Sequence, residues 1–170
     1  MKKVLLSTLL IITALPAVAQ DVTVSTLLNN EGKVVGEAIV TKASGGILLN
    51  IKAHDLAPGY HGMHFHKTGD CSDGKDGFKK SGGHIMPDNK PHGFLNPEGP
   101  HAGNLPNLIV SEDGTAEVEL YSNIVTYDDG KAALLDEDGA ALIIHTNKDD
   151  HLTQPIGGAG DRIACGVIYK

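Results

Sequence analysis

The apolar residues of this chain fall into short runs, each long enough for a β-strand. No stretch shows helical periodicity over a useful length, and Gly, Asn, Asp and Pro residues separate the runs. Apolar and polar positions alternate within several runs, as they do in strands that bury one face. We therefore predict about eight strands, over residues 22–28, 34–41, 47–53, 63–66, 105–110, 115–121, 140–145 and 163–169.

Turn residues between neighbouring runs predict how the strands connect. Residues 29–32 join the first two runs as a hairpin, and Glu112, Asp113 and Gly114 join runs 105–110 and 115–121 in the clearest hairpin of the sequence. Short strands with turn signals between them indicate an all-β fold, an antiparallel sandwich or flattened barrel with Greek-key connections. With 170 residues, 41% of them hydrophobic, the chain is long enough to bury one core.

Two segments lack a strand pattern, residues 67–103 and 146–162. A structureless loop as long as the first is uncommon in a compact domain, and such loops are usually functional or disordered. Histidines spread through this loop favour a function, because a metal ion can fix a segment that has no core of its own. We therefore predict that both are long functional loops.

Six histidines are candidate metal ligands. In a strand, side chains two positions apart share a face, so His64 and His66 project the same way while Phe65 faces oppositely. Imidazole suits copper and zinc, and the absence of clustered thiols argues against a structural zinc ribbon or an iron–sulfur centre. The pattern predicts a two-metal site built from His64, His66, His84, His92, His101 and His145.

The first nineteen residues have the pattern of a secretory signal. Lys2 and Lys3 precede a mostly apolar run that is too short for a membrane span, and small residues at 17–19 resemble a cleavage site. We predict cleavage near Ala19, which leaves a domain over residues 20–170; a retained N-terminal anchor is the alternative. Removing both lysines from the net charge of −7 leaves −9, which disfavours nucleic acid as a partner.

The two cysteines point to a disulfide. In an exported protein an oxidising compartment favours a bond between Cys71 and Cys165, with two free buried thiols as the alternative. A bond across about 95 residues stabilises the fold by on the order of 4 to 5 kcal/mol in the chain-entropy account. We predict a periplasmic or otherwise exported protein that has no membrane segment once the signal is removed.

Six sequence segments contain the candidate ligands or Cys165 and the residues around them: 62–66 (GMHFH), 82–84 (GGH), 91–93 (PHG), 99–103 (GPHAG), 142–145 (LIIH) and 158–168 (GAGDRIACGVI). These segments resemble the copper,zinc superoxide dismutases, particularly their exported bacterial members. They occur in the family's order, and the resemblance covers essentially the whole chain after the predicted signal. The resemblance implies the family's sandwich, which has an immunoglobulin-like architecture.

The resemblance also implies an activity, the disproportionation of superoxide to oxygen and hydrogen peroxide. Arg162 matches the arginine that guides superoxide to copper, and Asp149 matches a carboxylate that hydrogen-bonds one ligand of each metal. The family includes dimers and monomers, so a homodimer is one of two states that the resemblance allows. The implied copper ligands are His64, His66, His84 and His145; the implied zinc ligands are His84, which bridges, with His92, His101 and the position of Asn104.

Asn104 departs from the family, which normally has Asp at this position. An amide oxygen carries no charge, so we expect a weakened zinc site beside a copper site that keeps its ligands. Two alternatives to the enzyme are a noncatalytic metal-sequestering protein on the same fold and a zinc hydrolase. His54, His61 and His151 match no ligand position and are predicted to be surface or loop residues, as are Lys67, Lys75, Lys79, Lys80 and Lys148.

Overall fold

The computed structural model describes residues 20–169, and the predicted signal at 1–19 lies outside them. Nine strands form the fold: β1 (Val22–Asn29), β2 (Val34–Ala43), β3 (Gly46–Ala53), β4 (Gly59–His61), β5 (Met63–His66), β6 (Leu108–Val110), β7 (Ala116–Ser122), β8 (Ala140–His145) and β9 (Arg162–Ile168). Two single-turn 3-10 helices, η1 (Gly74–Asp76) and η2 (Lys79–Ser81), lie in the first long loop. No helix within residues 20–169 has the length and apolar character needed to span a bilayer.

Seven strands form one antiparallel sheet in the order β5-β8-β9-β1-β2-β3-β7, and β4 pairs with β6 in a second, two-stranded sheet. Strands β1, β2 and β3 follow one another, whereas β7 lies beside β3 and β8 lies between β5 and β9. These return connections are typical of Greek-key folds. The predicted all-β antiparallel class is confirmed.

Two local predictions need correction. Strand β4 was not predicted, because three residues are too few to show an alternating pattern. The predicted hairpin between runs 105–110 and 115–121 is wrong, although the turn exists and Ser111 N donates to Thr115 O. Strand β6, before the turn, pairs with β4, and strand β7, after it, pairs with β3. The two strands therefore join different sheets. The hairpin between β1 and β2 is confirmed.

The main core lies on one face of the sheet and consists mostly of aliphatic side chains. Phe65, Leu142 and Ile144 point into it from β5 and β8, and all three are fully buried. Because successive side chains of a strand alternate, the neighbours Ala141 and Ile143 face the other side, where they pack with Phe78 and Cys165. This second face carries the histidines and is covered by the two long loops.

Cys71 and Cys165 form the predicted disulfide, with a Cα–Cα distance of 5.8 Å. The bond joins the first long loop to β9 across a sequence separation of 94 residues. It therefore ties a segment with little core of its own to the sheet, next to the histidine face.

Candidate metal centre

Strand β5 supplies two of the candidate ligands on a rigid element. His64 and His66 are both buried, and Phe65 between them points into the main core as predicted. On one side β5 pairs with β8, where His64 lies opposite Ile143. Because β8 and the loops hold β5 from both edges, its two imidazoles have little freedom to move.

Loop backbone occupies the other edge of β5 and brings in further ligands. Phe65 N donates to Gly103 O at 2.9 Å, and Ile85 N donates to Phe65 O at 3.0 Å. These bonds set His84 opposite His66 and Asn104 opposite His64 as isolated bridges. Backbone hydrogen bonds to β5 therefore order the loop at His84 and Asn104.

His145 ends β8, where the pairing with β9 is irregular. The register shifts between Ile144 and His145, which places His145 opposite Arg162. Such bulges bend a strand and redirect a side chain. Here the bulge brings His145, the last residue of β8, beside Arg162.

Four imidazoles converge on one point. Each offers a ring nitrogen, and the four nitrogens lie within 4.8 Å of one another. Each ring also has one buried nitrogen without a hydrogen-bond partner: His64 Nδ1, His66 Nε2, His84 Nε2 and His145 Nε2. Buried polar atoms normally have hydrogen-bond partners. Four buried ring nitrogens that lie close together without partners match the imidazole ligands that a copper ion takes.

The other nitrogen of three of these rings is held by an acceptor. His64 Nε2 lies 2.8 Å from Asp149 Oδ2, His66 Nδ1 lies 2.9 Å from Gly82 O, and His145 Nδ1 lies 3.0 Å from Gly160 O. These N–H donors fix each ring's tautomer and leave the second nitrogen free for a metal, as is common for metal-binding histidines.

A second cluster shares His84 with the first. His84, His92 and His101 each bring a nitrogen to within 4.8 Å of the others. His101 Nε2 lies 2.8 Å from His84 Nδ1 and 3.3 Å from His92 Nδ1. Three imidazoles suit zinc, but the fourth position holds the uncharged amide of Asn104, so the residues fit zinc only in part.

Asp149 joins the two clusters. It is fully buried, and its Oδ1 accepts from His92 Nε2 at 2.9 Å while Oδ2 accepts from His64. Burial alone raises the pKa of Asp149, but hydrogen bonds from His64 and His92 outweigh it and hold the pKa well below the usual range. The residue is therefore a carboxylate that orients one imidazole of each cluster.

Burial keeps four of the candidate ligands neutral. It lowers the pKa of His145 to about 4, with a further contribution from His64, and lowers the pKa of His101 to about 4, with a further contribution from His92. Burial also lowers the pKa of His84, with a further contribution from His64, and the pKa of His66, with a further contribution from Arg162. Neutral imidazole is the form that binds metals.

Arg162 lies beside the first cluster, and three oxygen atoms accept hydrogen bonds from its guanidinium. Nη1 donates to Phe78 O at 2.7 Å and to Ser81 Oγ at 3.1 Å, and Nη2 donates to Gly82 O at 2.9 Å. The side of the residue that faces solvent lines an open cavity of about 550 Å³ together with Lys75 and Lys79. A fixed positive charge at such an opening attracts small anions.

Three residues of the site were not predicted from the sequence. The Asn107 side chain accepts from Asp149 N at 2.8 Å and donates to Asp149 O at 2.9 Å, which fixes the Asp149 backbone. Gly157 packs so closely that a Cβ would lie 1.7 Å from Asp149 Oδ1. Ser81 holds Arg162. Only Gly157 had a sequence signal, the glycine-rich run 157–160, which has neither the lysine nor the helix of a phosphate loop.

The three remaining histidines differ in their surroundings. His54 is exposed and His151 lies half-buried in the second loop, as predicted. The prediction for His61 is wrong, because this residue lies in β4 and is 3% exposed. Its ring nitrogens lie 2.7 Å from His145 O and 2.8 Å from Ala57 O, so it supports the strand end that carries a candidate ligand. The five lysines Lys67, Lys75, Lys79, Lys80 and Lys148 are all exposed.

Comparison with known proteins identifies the family. The family described as copper/zinc superoxide dismutase matches residues 33–168. The chain belongs to the copper/zinc superoxide dismutase family. Over 141 residues it is 47% identical to a superoxide dismutase [Cu-Zn] of Caulobacter vibrioides. The matched segment covers 81% of this chain and 80% of that protein.

Solved structures agree with this family membership. A superoxide dismutase-like protein from Bacillus subtilis matches with a TM-score of 0.83 at 40% identity, over 88% of this chain and 99% of the other. The Cu/Zn superoxide dismutase from Brucella abortus matches with a TM-score of 0.71 at 31% identity, over 87% of this chain and 99% of the other. Superoxide dismutase activity and the use of copper and zinc are the properties of this family, and the two histidine clusters can bind metals.

Proposed function

We propose that this chain disproportionates superoxide outside the cytoplasm with a copper ion held by His64, His66, His84 and His145. The observation that carries the proposal is the convergence of four buried imidazole nitrogens that have no other partner. Copper supplies the chemistry when bound, because it cycles between Cu(II) and Cu(I) by single electrons, which zinc does not do.

Arg162 binds and orients the substrate. Its charge is permanent, and three oxygen acceptors fix the guanidinium beside His145. Superoxide is a small anion, and the net charge of the chain is negative, so a local cation is needed to draw it in. Lys75 and Lys79 line the same cavity and add to this local field, which Asp76 and Asp161 in the same lining partly offset.

His84 moves a proton. Its Nε2 faces the first cluster and its Nδ1 faces the second, so one ring links the two. We assign Nε2 the role of holding a proton, which it would take up from solvent only when its lone pair is not bound to copper and would then give to peroxide. The second cluster, His84, His92 and His101 with Asn104, is the proposed zinc site, and Asp149 orients His64 and His92 between the two sites.

Export completes the proposal. Residues 1–19 act as a secretory signal cleaved near Ala19, and residues 20–170 form the mature domain. The disulfide between Cys71 and Cys165 supports an oxidising compartment. Mass spectrometry of the protein recovered from the periplasm would give the cleavage site, and an intact N-terminus there would contradict the signal assignment.

The test of the enzyme is a comparison of two histidine variants. His145→Ala removes a copper ligand, so superoxide consumption by the copper-loaded protein should fall by more than the roughly 100-fold that loss of an outer hydrogen-bond partner costs. His54→Ala removes an exposed histidine outside both clusters and should leave the rate unchanged. Pulse radiolysis measures both rates. Equal rates with and without copper would contradict the proposed function.

A further inference from the structure

The side-chain amide of Asn104 has one orientation that satisfies its surroundings. Its oxygen Oδ1 accepts from Gly93 N at 3.2 Å, and its nitrogen Nδ2 lies 3.1 Å from His92 Nδ1. Reversing the amide would set an NH2 group against the N–H of Gly93. Because Asn104 is 1% exposed, water cannot relieve that conflict. The amide therefore presents its NH2 group to the second cluster.

An amide nitrogen in this position cannot bind a metal. Aspartate would use one oxygen to accept from Gly93 N and would still have a charged oxygen for an ion. Asparagine has one oxygen, which Gly93 engages, and its NH2 group is a donor without a usable lone pair. The second cluster therefore offers three imidazoles, no anionic ligand and a hydrogen-bond donor where a fourth ligand would lie.

The two histidine clusters also differ in how their nitrogens are satisfied. Tetrahedral zinc with Zn–N distances of about 2.0 to 2.1 Å holds its nitrogen ligands about 3.3 Å apart. His84 Nδ1 and His101 Nε2 lie 2.8 Å apart, which is a hydrogen-bond distance. Each ring of the first cluster has one buried nitrogen without a partner, whereas in the second cluster, apart from the shared His84, only His101 Nδ1 is in that state. A single proton between the rings satisfies His84 Nδ1 and His101 Nε2.

Two connections join the first cluster to the second: His84, which belongs to both, and Asp149, which accepts from His64 and His92. His64, His66 and His145 are held by Asp149, Gly82 O and Gly160 O, none of which needs a second metal. Only His84 directs its other nitrogen into the second cluster. The hydrogen bond between His84 Nδ1 and His101 Nε2 therefore restrains the one copper ligand that zinc would otherwise hold.

We propose that this chain binds zinc weakly and exchangeably, and that the His84–His101 hydrogen bond keeps the copper site in shape when zinc is absent. The proposal rests on the copper and zinc assignments of the proposed function. It makes His101 a positioning residue for His84 and makes Asn104 the residue that lowers zinc affinity.

Zinc affinity tests the first half. Competition with a chromophoric chelator, at one copper per chain, should show Asn104→Asp binding zinc about 10- to 100-fold more tightly than the unaltered chain, on the scale of losing one partner at a metal site. Asn123→Asp adds the same charge at an exposed position outside the site and should bind zinc like the unaltered chain. Equal zinc affinity in the unaltered chain and Asn104→Asp would overturn the proposal.

Electron paramagnetic resonance of Cu(II) tests the second half. Removing zinc should leave the copper spectrum of the unaltered chain unchanged, whereas His101→Ala without zinc should change it, because His84 is then unrestrained. A spectrum that changes when zinc is removed from the unaltered chain would overturn the proposal. Neither measurement uses superoxide, so failure of the dismutase assay would count against the proposed function alone.

Discussion

Ser81 contacts both Arg162, the proposed anion-binding residue, and His66, a proposed copper ligand. Its hydroxyl is fully buried, donates to Phe78 O at 2.8 Å and accepts from Arg162 Nη1 at 3.1 Å. The same oxygen lies 3.2 Å from His66 Nδ1. One hydroxyl therefore sets both the guanidinium and an imidazole of the first cluster.

Ser81→Ala should loosen Arg162 without removing its charge. Nη1 of the half-buried Arg162 loses one of its two acceptors, which costs about 0.5 to 1.5 kcal/mol. We expect a lower free energy of unfolding and weaker binding of azide to the copper-loaded protein. Denaturant unfolding and optical titration measure the two effects.

Ser25→Ala is the matched control for Ser81. Ser25 is 1% exposed, and its hydroxyl has no hydrogen-bond partner. Removing an unsatisfied buried hydroxyl is expected to be neutral or stabilising, and azide binding should not change. If both variants behaved alike, the role assigned to the Ser81 hydroxyl would be wrong.

At the scale of elements, the first long loop is fixed by backbone pairing with β5 and by the disulfide. Phe78 has a φ of 53°, in the left-handed region, and its ring packs against the cluster that contains Cys165. Its carbonyl accepts from Arg162. The disulfide thus supports the segment that positions the arginine.

Replacing both cysteines, Cys71→Ser with Cys165→Ser, should reduce the free energy of unfolding by about 3 to 5 kcal/mol, since the unfolded chain regains the freedom of a long loop. Guanidinium unfolding of the metal-free protein measures this change. The unaltered protein treated with reductant serves as a comparison and should lose a similar amount. Unchanged stability in both samples would show that the bond does not stabilise the fold.

At the scale of the whole molecule, the buried histidines make the stability of the metal-free protein depend on pH. Burial lowers the pKa of His145 and of His101 to about 4, from 6.5 in the unfolded chain. The unfolded state then binds more protons between these values, so the stability present above pH 6.5 is lost progressively as the pH falls towards 4. Asp149 adds to this loss only near pH 4 and below, because its pKa is lowered from 3.8.

Denaturant midpoints of the metal-free protein across this pH range measure the loss. A His145→Gln variant has one fewer titrating ring, so its stability should decline less steeply than that of the unaltered chain. Stability that stays level from pH 6.5 down to about 4 would contradict the pKa shifts of both histidines.

The sequence by itself determined the class of fold, the family and the identity of the clustered histidines. Strand patterns and the HFH spacing are local, since alternation along one strand decides which side chains share a face. The disulfide could be predicted from the number of cysteines and the inferred compartment. These features depend on neighbouring residues or on composition, and both can be read along the chain.

Only the tertiary structure decided how distant segments complete the site. The divergence of β6 and β7, the burial of His61 and the support of Arg162 by Ser81 are contacts that leave no local pattern. The sequence showed that Asn104 carries no charge, but the Gly93 N–H decides which end of the amide faces the second cluster. Buried polar groups take the partners that the fold brings to them, and that geometry depends on the whole chain.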